Sequence, residues 1–537
     1  MKHPISTLYP TLLNASSKQP PDPVAIKLQY ESFAPLVMDD ASFKAIEVDV
    51  LFEAINHTST RIGSASLLRS LKHPLSEVDL IHEKQAAIRE IELNPELKLQ
   101  LGRVLETSAK REQDFYNLIF GTFLGAVGSP AQAYEFEGFG YEQYIRGTGF
   151  LENLVDQVSG LEVTSSYLSA LKEDVLQLAE SRTYRLIKGP AYRTEKGMIT
   201  AEEKPWFIPA LKFTPSLFKP VAILATVIVM LLFLEFAPFA LDLVASLSPA
   251  LWFLAFPLGL LYFPVVGNFD RDGCIYPLRD LIKKTVDVQE ALEALGQLDE
   301  LMSALRYQEA FAHDCTLPRM IEDNQHKIRL EGVRNPILGK SNTSYVPNDL
   351  ELTKNHLLMI TGPNSGGKTA FCKTLTQTQL LAQIGYFVPA SAAEMTAADR
   401  IYYQVPELSQ LNDGEGRFGT ELKRTKEMFM ASSARSLVVM DELSEGTTHQ
   451  EKIEISMDVL EGFAKKGNNT ILITHNHELV EALLKKGLGL ARQVEFSGEL
   501  PTFRMVPGIS TVSHASRVAK KIGFSKEDIE RHLNTAS

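Results

Sequence analysis

The pattern of apolar and polar positions divides the chain into three regimes. From Phe43 to Leu105 apolar residues recur at helical spacing, and breaks at Pro74 and Pro95 predict several short-linked helices. Val286 to Phe311 (VDVQEALEALGQLDELMSALRYQEAF) reads as one long amphipathic helix with a single packing face. Between them lies a block almost without charge. Pro220 to Leu241 (PVAILATVIVMLLFLEFAPFAL) contains only Glu235, and after Asp242 the run from Leu243 to Phe269 has no charged residue. Beyond Asn335 the pattern turns to short, wholly apolar runs: LLMIT (Leu357–Thr361), SLVVM (Ser436–Met440) and TILIT (Thr470–Thr474). These predict buried strands.

Each half of the uncharged block has the roughly 20 apolar residues that a membrane-spanning helix requires. Lys212 and Lys219 precede it, and Arg271, Arg279, Lys283 and Lys284 follow it. The connecting segment holds only Glu235 and Asp242. Positive-inside bias then predicts a multi-pass arrangement of two helices, with residues 220–266 in the lipid bilayer and both termini in the cytoplasm. The alternative is a helical hairpin buried in a soluble, cytoplasmic core. The N-terminal MKHPISTLYP has no apolar run, which predicts no secretory signal peptide.

Composition narrows the classes. The 537 residues carry 54 Lys+Arg against 66 Asp+Glu, a net charge of −12, with 33 Gly and 27 Pro. That balance excludes disordered, collagen-like and disulfide-scaffold proteins, and the length predicts about three or four domains. Cys274, Cys315 and Cys372 lie far apart, so neither a zinc site nor a disulfide framework is expected and a reducing compartment is the default. Net acidity argues against coating nucleic acid by bulk charge and leaves room for a local basic patch.

The candidate chemistry sits at the ends of the apolar runs. HLLMITGPNSGGKT (His356–Thr369) takes a strand into Gly362-x-x-x-x-Gly367-Lys368-Thr369, the spacing of a phosphate-binding P-loop. Glycines let successive backbone N–H groups turn toward phosphates, and the next helix adds its dipole. Lys368 would reach the β- and γ-phosphates and the Thr369 hydroxyl would ligate Mg²⁺. SLVVM runs into Asp441 and Glu442, placed to hold Mg²⁺ and to polarise the attacking water as general base. TILIT ends at His475, a candidate γ-phosphate sensor.

These runs, with LLAQIGYFVPASAAEMTAADRI (Leu380–Ile401), LVVMDELSEGTT (Leu437–Thr448), YVPND (Tyr345–Asp349) and GISTVSHASRVAKKIGFSKEDI (Gly508–Ile529), resemble the ATPase of MutS-family proteins. TRIGSASLLRSLKHPLSEVDLIHEKQAAIREIELNPEL (Thr60–Leu97) and LGQLDELMSALRYQE (Leu295–Glu309) resemble that family's helical core. The resemblance implies an α/β P-loop ATPase domain of the ABC type over 330–537. It also implies an all-α core and lever over 45–215 and 270–329, interrupted by the transmembrane hairpin at 216–269 and preceded by an N-terminal segment, 1–44. It implies ATP and Mg²⁺ as cofactors. Gly362, Pro363, Asn364, Ser365, Gly366, Gly367, Lys368 and Thr369 would form the phosphate loop, with Asp441 and Thr369 on Mg²⁺. Glu442, His475 and Lys368 would act in hydrolysis. Tyr345 and Val346 would contact adenine, with Phe503 stacking nearby. ATP held between two subunits implies a homodimer, the helix near Phe418 through Glu421, Leu422 and Lys423 supplying the trans-acting element. DNA as a partner follows from the resemblance alone.

The chain departs from the family pattern in three places. The signature serine falls on Gly416, within NDGEGRFGTEL (Asn412–Leu422), which leaves backbone N–H groups or Arg417 to meet the partner's γ-phosphate. The recognisable core begins near residue 45, so mismatch-recognition and connector domains ahead of it are not expected. Phe136-Glu137 and Tyr141-Glu142 lack the spacing of the family's Phe-x-Glu wedge. The apolar block stands where levers would run toward a DNA clamp. The expected whole is a membrane-anchored, MutS-related dimeric ATPase that couples nucleotide state to lever movement. The alternatives are a soluble DNA repair or recombination ATPase with a buried hairpin, and an ATP-binding membrane scaffold with little hydrolysis.

Overall fold

The computed structural model describes residues 37–131, 134–206, 209–219, 228, 255–363, 366–406, 416–443, 449–498, 500–510 and 522–535. They fall into two compact units. One contains Thr58–Ser66 and Glu90–Met302; the other contains residues 37–57, Leu67–Arg89 and the chain from Ser303 onward.

In the first unit the helix Pro95–Phe120 begins where the Pro break predicts, with Asn94 accepting the Leu97 N–H at 3.1 Å and Pro95 in the first turn. It packs along the helix Tyr141–Ser159 through Phe115 and Phe150, whose ring centroids are 5.1 Å apart. The helices Ser166–Glu180 and Arg182–Lys188 follow. The unit is not all-α. β1 (Thr122–Phe123) pairs in parallel with β2 (Glu135–Phe136), and β3 (Ala191–Thr194), β4 (Gly197–Thr200) and β5 (Leu211–Lys212) form an antiparallel sheet. β3 and β4 turn back at Gly197, whose φ of +133° a side chain would resist, and burial alternates along β4. Strands of four residues are too short to register as a periodic signal. The expectation of an all-α core and lever is corrected accordingly: this is a mixed α/β chain.

The membrane reading is corrected as well. Most of the proposed hairpin, residues 220–227 and 229–254, lies outside the described residues. The described remainder is a helix, Ala255–Asp270, of 16 residues with Pro264 inside it. Its end is fixed by protein. Asp270 is buried, accepts the Tyr141 hydroxyl at 2.5 Å and pairs with Lys219 at 2.6 Å. A Cβ on Gly267 would lie 2.4 Å from the Phe139 ring. Among the described residues no helix is long and apolar enough to cross a membrane, so the two-helix bilayer placement and the localisation derived from it are withdrawn. Hydropathy counted the apolar side chains without the proline and the polar anchor at Asp270.

The helix Val286–Ala310 differs from its expected amphipathic form, because nearly every residue from Ala291 to Leu305 is buried. Its polar side chains are internal partners. Gln297 accepts the Tyr167 hydroxyl at 2.7 Å, and the Glu300 carboxylate accepts Ser66 Oγ at 3.1 Å.

The second unit is built on a six-stranded sheet in the order β11-β12-β13-β9-β14-β15. Its strands are β9 (Leu357–Thr361), β11 (Ile401–Gln404), β12 (Leu437–Asp441), β13 (Asn469–Ile473), β14 (Leu490–Ser497) and β15 (Leu500–Pro507). All neighbours are parallel except β14 and β15. Leu357, Met359, Val438, Met440 and Leu472 meet Leu460 and Phe463 of the helix His449–Lys466 in one apolar core. Burial on both faces explains why these strands read as unbroken apolar runs. A second sheet, β6-β10-β7-β8, joins β6 (Arg319–Ile321), β7 (Ile328–Val333), β8 (Asn348–Leu352) and β10 (Ala392–Thr396). β6 and the first residues of β7 lie in the stretch expected to be helical core, which extends the same correction.

Residues 37–57 strap this unit. Val37 O accepts the Ile401 N–H at 2.7 Å, and Asp39 pairs with Arg424 at 2.6 Å on the helix Gly416–Ala431. Glu47 pairs with Lys373 at 2.9 Å on the helix Lys368–Gln383.

A buried histidine gives this unit an acid limit. His326 is fully buried, its Nδ1 accepting from Asn469 Nδ2 at 2.9 Å and its Nε2 facing Gln379 Oε1 at 3.2 Å, which suits the neutral ring. Burial pushes it down to about 4. The unfolded chain therefore takes up the proton first as pH falls below the ordinary value near 6.5. Stability is full above that value and is lost between about pH 6.5 and 4, on the order of 3 kcal/mol from this group. His73, pushed down to about 4 by burial and then by Arg69 and Lys72, acts in the same window. Melting temperatures at pH 7.5 and 4.5 should fall less in His326→Gln than in the wild type. An equal fall would contradict the assignment.

Candidate nucleotide-binding site

The phosphate loop leaves the sheet at the C-terminal end of β9. Gly362 (φ +130°) and Gly367 (φ +84°) take conformations that other residues resist, and Gly367 caps the helix Lys368–Gln383. At Gly366 the constraint is space: a Cβ would lie 2.7 Å from Val494 Cγ2 on neighbouring β14. Pro363 is buried, while Asn364 and Ser365 lie outside the described residues. Lys368 is 1% exposed and donates to Gly362 O at 2.6 Å. Burial lowers the pKa of its ammonium, against the opposing pull of Glu442 and Asp441.

Register brings the other strand tips to the same edge. Asp441 lies opposite Ile473 and Ile473 opposite Ile360, so β12, β13 and β9 end side by side. Thr369 Oγ1 donates to Asp441 Oδ2 at 2.9 Å. Octahedral Mg²⁺ with ligands at about 2.1 Å sets adjacent oxygens about 3 Å apart, so this pair fits two neighbouring ligand positions. Among the described residues no group of three or more His, Cys, Asp or Glu forms a metal cluster. A site of two protein oxygens completed by phosphate and water is the type that suits Mg²⁺. Bound there, the ion would neutralise charge on the β- and γ-phosphates.

Glu442 follows Asp441 with a φ of +66°, unusual for a residue with a side chain. Its N–H donates to Ile473 O at 2.9 Å, which holds that conformation. Its carboxylate is nearly buried. Oε1 accepts the His475 N–H at 3.1 Å and Oε2 accepts the Thr474 hydroxyl at 3.3 Å. His475 is half-exposed, with Nε2 3.7 Å from Oε1. Glu442, His475, Asp441, Thr369 and Lys368 thus share one sheet edge.

Two neighbours have no motif to mark them. Lys452 approaches Glu442 from the helix His449–Lys466. Tyr403, on β11 beside β12, has a buried hydroxyl without a hydrogen-bond partner among the described residues, and burial, Cys372 and Asp441 together raise its pKa. Only the position of Lys452 shortly after the Asp-Glu pair could have flagged either.

Tyr345 and Val346 are half-buried before β8. Burial raises the pKa of the Tyr345 hydroxyl, with Thr374, on the helix after the loop, and the Asn335 backbone pulling the other way. Phe503 is half-exposed at φ +62°, and a Cβ on Gly367 would come within 3.3 Å of its ring, so it borders the loop. Gly416 opens the helix Gly416–Ala431, on which Glu421 is buried and Leu422 and Lys423 are exposed. The Arg417 side chain lies outside the described residues.

Comparison with known proteins bears on this edge. Residues 358–535 match the model of MutS domain V. This part of the chain is similar to MutS domain V. The chain is 32% identical over 257 residues to the DNA mismatch repair protein MutS of one strain of Thermus thermophilus, which covers 47% of this chain and 31% of that protein. It is 32% identical over 253 residues to the protein of the same name from Rhodopirellula baltica, covering 45% of this chain and 28% of the relative. Endonuclease MutS2 of a second Thermus thermophilus strain is also 32% identical, over 260 residues, 47% of this chain and 34% of that one. The chain thus spans about a third of the length of these curated relatives. The MutS domain V match begins on β9 and contains the phosphate loop, Asp441, Glu442 and His475.

Proposed function

We propose that this chain binds ATP with Mg²⁺ and hydrolyses it, working as a homodimer in a transaction on DNA. The observation that carries the reading is the 2.9 Å contact between Thr369 and Asp441, set between a buried Lys368 and the Glu442 carboxylate. Lys368 and the loop N–H groups would hold the β- and γ-phosphates, while Glu442 takes a proton from water. Tyr345, Val346 and Phe503 would border the adenine. The helix from Gly416 would face the partner's nucleotide through backbone N–H groups, with movement of the helical core following closure of the dimer. MutS domain V and the names of the relatives support the DNA part.

Purified chain should turn over ATP only with Mg²⁺, and Glu442→Gln should lose at least about 100-fold in rate, the usual contribution of a general base. Equal, negligible rates in both would leave nucleotide binding without hydrolysis. With a net charge of −12, DNA contact must come from a local basic surface. Duplex affinity measured from 50 to 200 mM salt should fall with a log–log slope steeper than about −2, reporting at least two or three neutralised phosphates. No binding at the lowest salt would remove DNA from the reading and leave the ATPase standing.

A further inference from the structure

The helix His449–Lys466 follows the strand that ends at Asp441, just before Glu442, and its fourth residue is a cation. A positive charge so near a helix N-terminus is disfavoured, because the helix dipole is already positive there; neighbouring Glu451 is the type expected. Lys452 nevertheless turns inward. Its side chain is 18% exposed, and Nζ lies 3.8 Å from Glu442 Oε2. The same oxygen accepts the Thr474 hydroxyl at 3.3 Å, while Oε1 takes the His475 N–H at 3.1 Å beside the half-exposed ring. A glutamate's terminal torsion is soft and nearly two-fold, so which oxygen faces water depends on how firmly each is held, and a cation holds Oε2 more firmly than the 3.3 Å hydroxyl contact alone.

We propose that Lys452 is a positioning residue for the general base, pinning Oε2 so that Oε1, beside His475, is the oxygen presented to water. This rests on the ATPase reading above. In the step it serves, Oε1 takes a proton from water as the water oxygen bonds to the γ-phosphorus. The bond from that phosphorus to the β–γ bridging oxygen breaks, and ADP leaves with the electron pair. Lys452 stays charged throughout and makes no bond to the substrate.

The test compares wild type, Lys452→Met, Lys452→Arg and Glu442→Gln as full chains in steady-state and single-turnover hydrolysis of Mg·ATP, with ATP affinity measured separately. Lys452→Met should lower kcat about 10- to 100-fold with KM and ATP affinity within about threefold of wild type, and Lys452→Arg should recover most of the loss. That split, with rescue by charge, is not what a merely structural lysine gives. Unchanged or faster turnover in Lys452→Met, or a loss that Lys452→Arg fails to relieve, overturns the positioning role. If Glu442→Gln abolishes a hydrolysis that Lys452→Met leaves intact, this inference alone falls. A wild type that does not hydrolyse ATP overturns both readings.

Discussion

Lys368→Ala should bind ATP at least about 100-fold more weakly than wild type while keeping its fold. Hydrogen bonds to charged groups contribute about 1.5–3 kcal/mol each, and two phosphate contacts from one ammonium exceed the roughly 2.7 kcal/mol of a hundredfold change. The free protein should not suffer in step. Lys368 is 1% exposed and burial disfavours its charge, so without nucleotide the ammonium contributes little to stability. Titration with a fluorescent ATP analogue alongside thermal melting checks both halves. Retained affinity would place the phosphates elsewhere. A collapse of the melting temperature would assign Lys368 a structural role through Gly362.

The second large effect is on stability and lies far from the nucleotide. Asp299 is fully buried and acts as the hub of the first unit. Its carboxylate accepts the Ser59 N–H at 2.9 Å, the Thr60 N–H at 2.8 Å and the Thr60 hydroxyl at 2.8 Å. The Thr60 hydroxyl also accepts the Gly63 N–H at 2.8 Å, which fixes the start of the helix Arg61–Lys72. Asp299→Ala strands two buried donors on Thr60 and a partly buried one on Ser59, at about 1–3 kcal/mol for each buried donor, so a loss of about 3–5 kcal/mol is expected in chemical denaturation. Asp299→Asn, which keeps one acceptor oxygen, should lose less. A change below about 1 kcal/mol in Asp299→Ala would mean that water replaces the carboxylate, contrary to its burial.

The nucleotide edge was the most legible part of the sequence. Three short apolar runs end in Gly-Lys-Thr, Asp-Glu and His, and strands buried on both faces leave that mark. The order that sets β13 between β12 and β9 was not legible, because pairing is decided by tertiary packing. The helix at Pro95 was readable from Asn94-Pro95, a local signal. The β3–β4 hairpin was missed because two four-residue strands carry no usable period. Asp299 and Glu300 were hidden on a helix that read as half-exposed, since a buried acid and a surface acid look alike until their partners are known. The uncharged block misled for the converse reason. Its apolar count invited a bilayer, while Pro264 within the helix and Asp270 bound to Tyr141 and Lys219 fix its described end to protein. Lys452 was invisible to motif logic, because only folding brings it to Glu442.

The central claim is that Lys368 holds ATP and Glu442 destroys it at one sheet edge. It is tested most directly by the fate of bound nucleotide. Wild type, Glu442→Gln and Lys368→Ala are each incubated with ATP and Mg²⁺, freed of unbound nucleotide, and the retained nucleotide is resolved by chromatography. The account predicts ADP from the wild type, intact ATP from Glu442→Gln and almost none from Lys368→Ala. ADP in equal amounts from wild type and Glu442→Gln, or no nucleotide retained by the wild type, would contradict it.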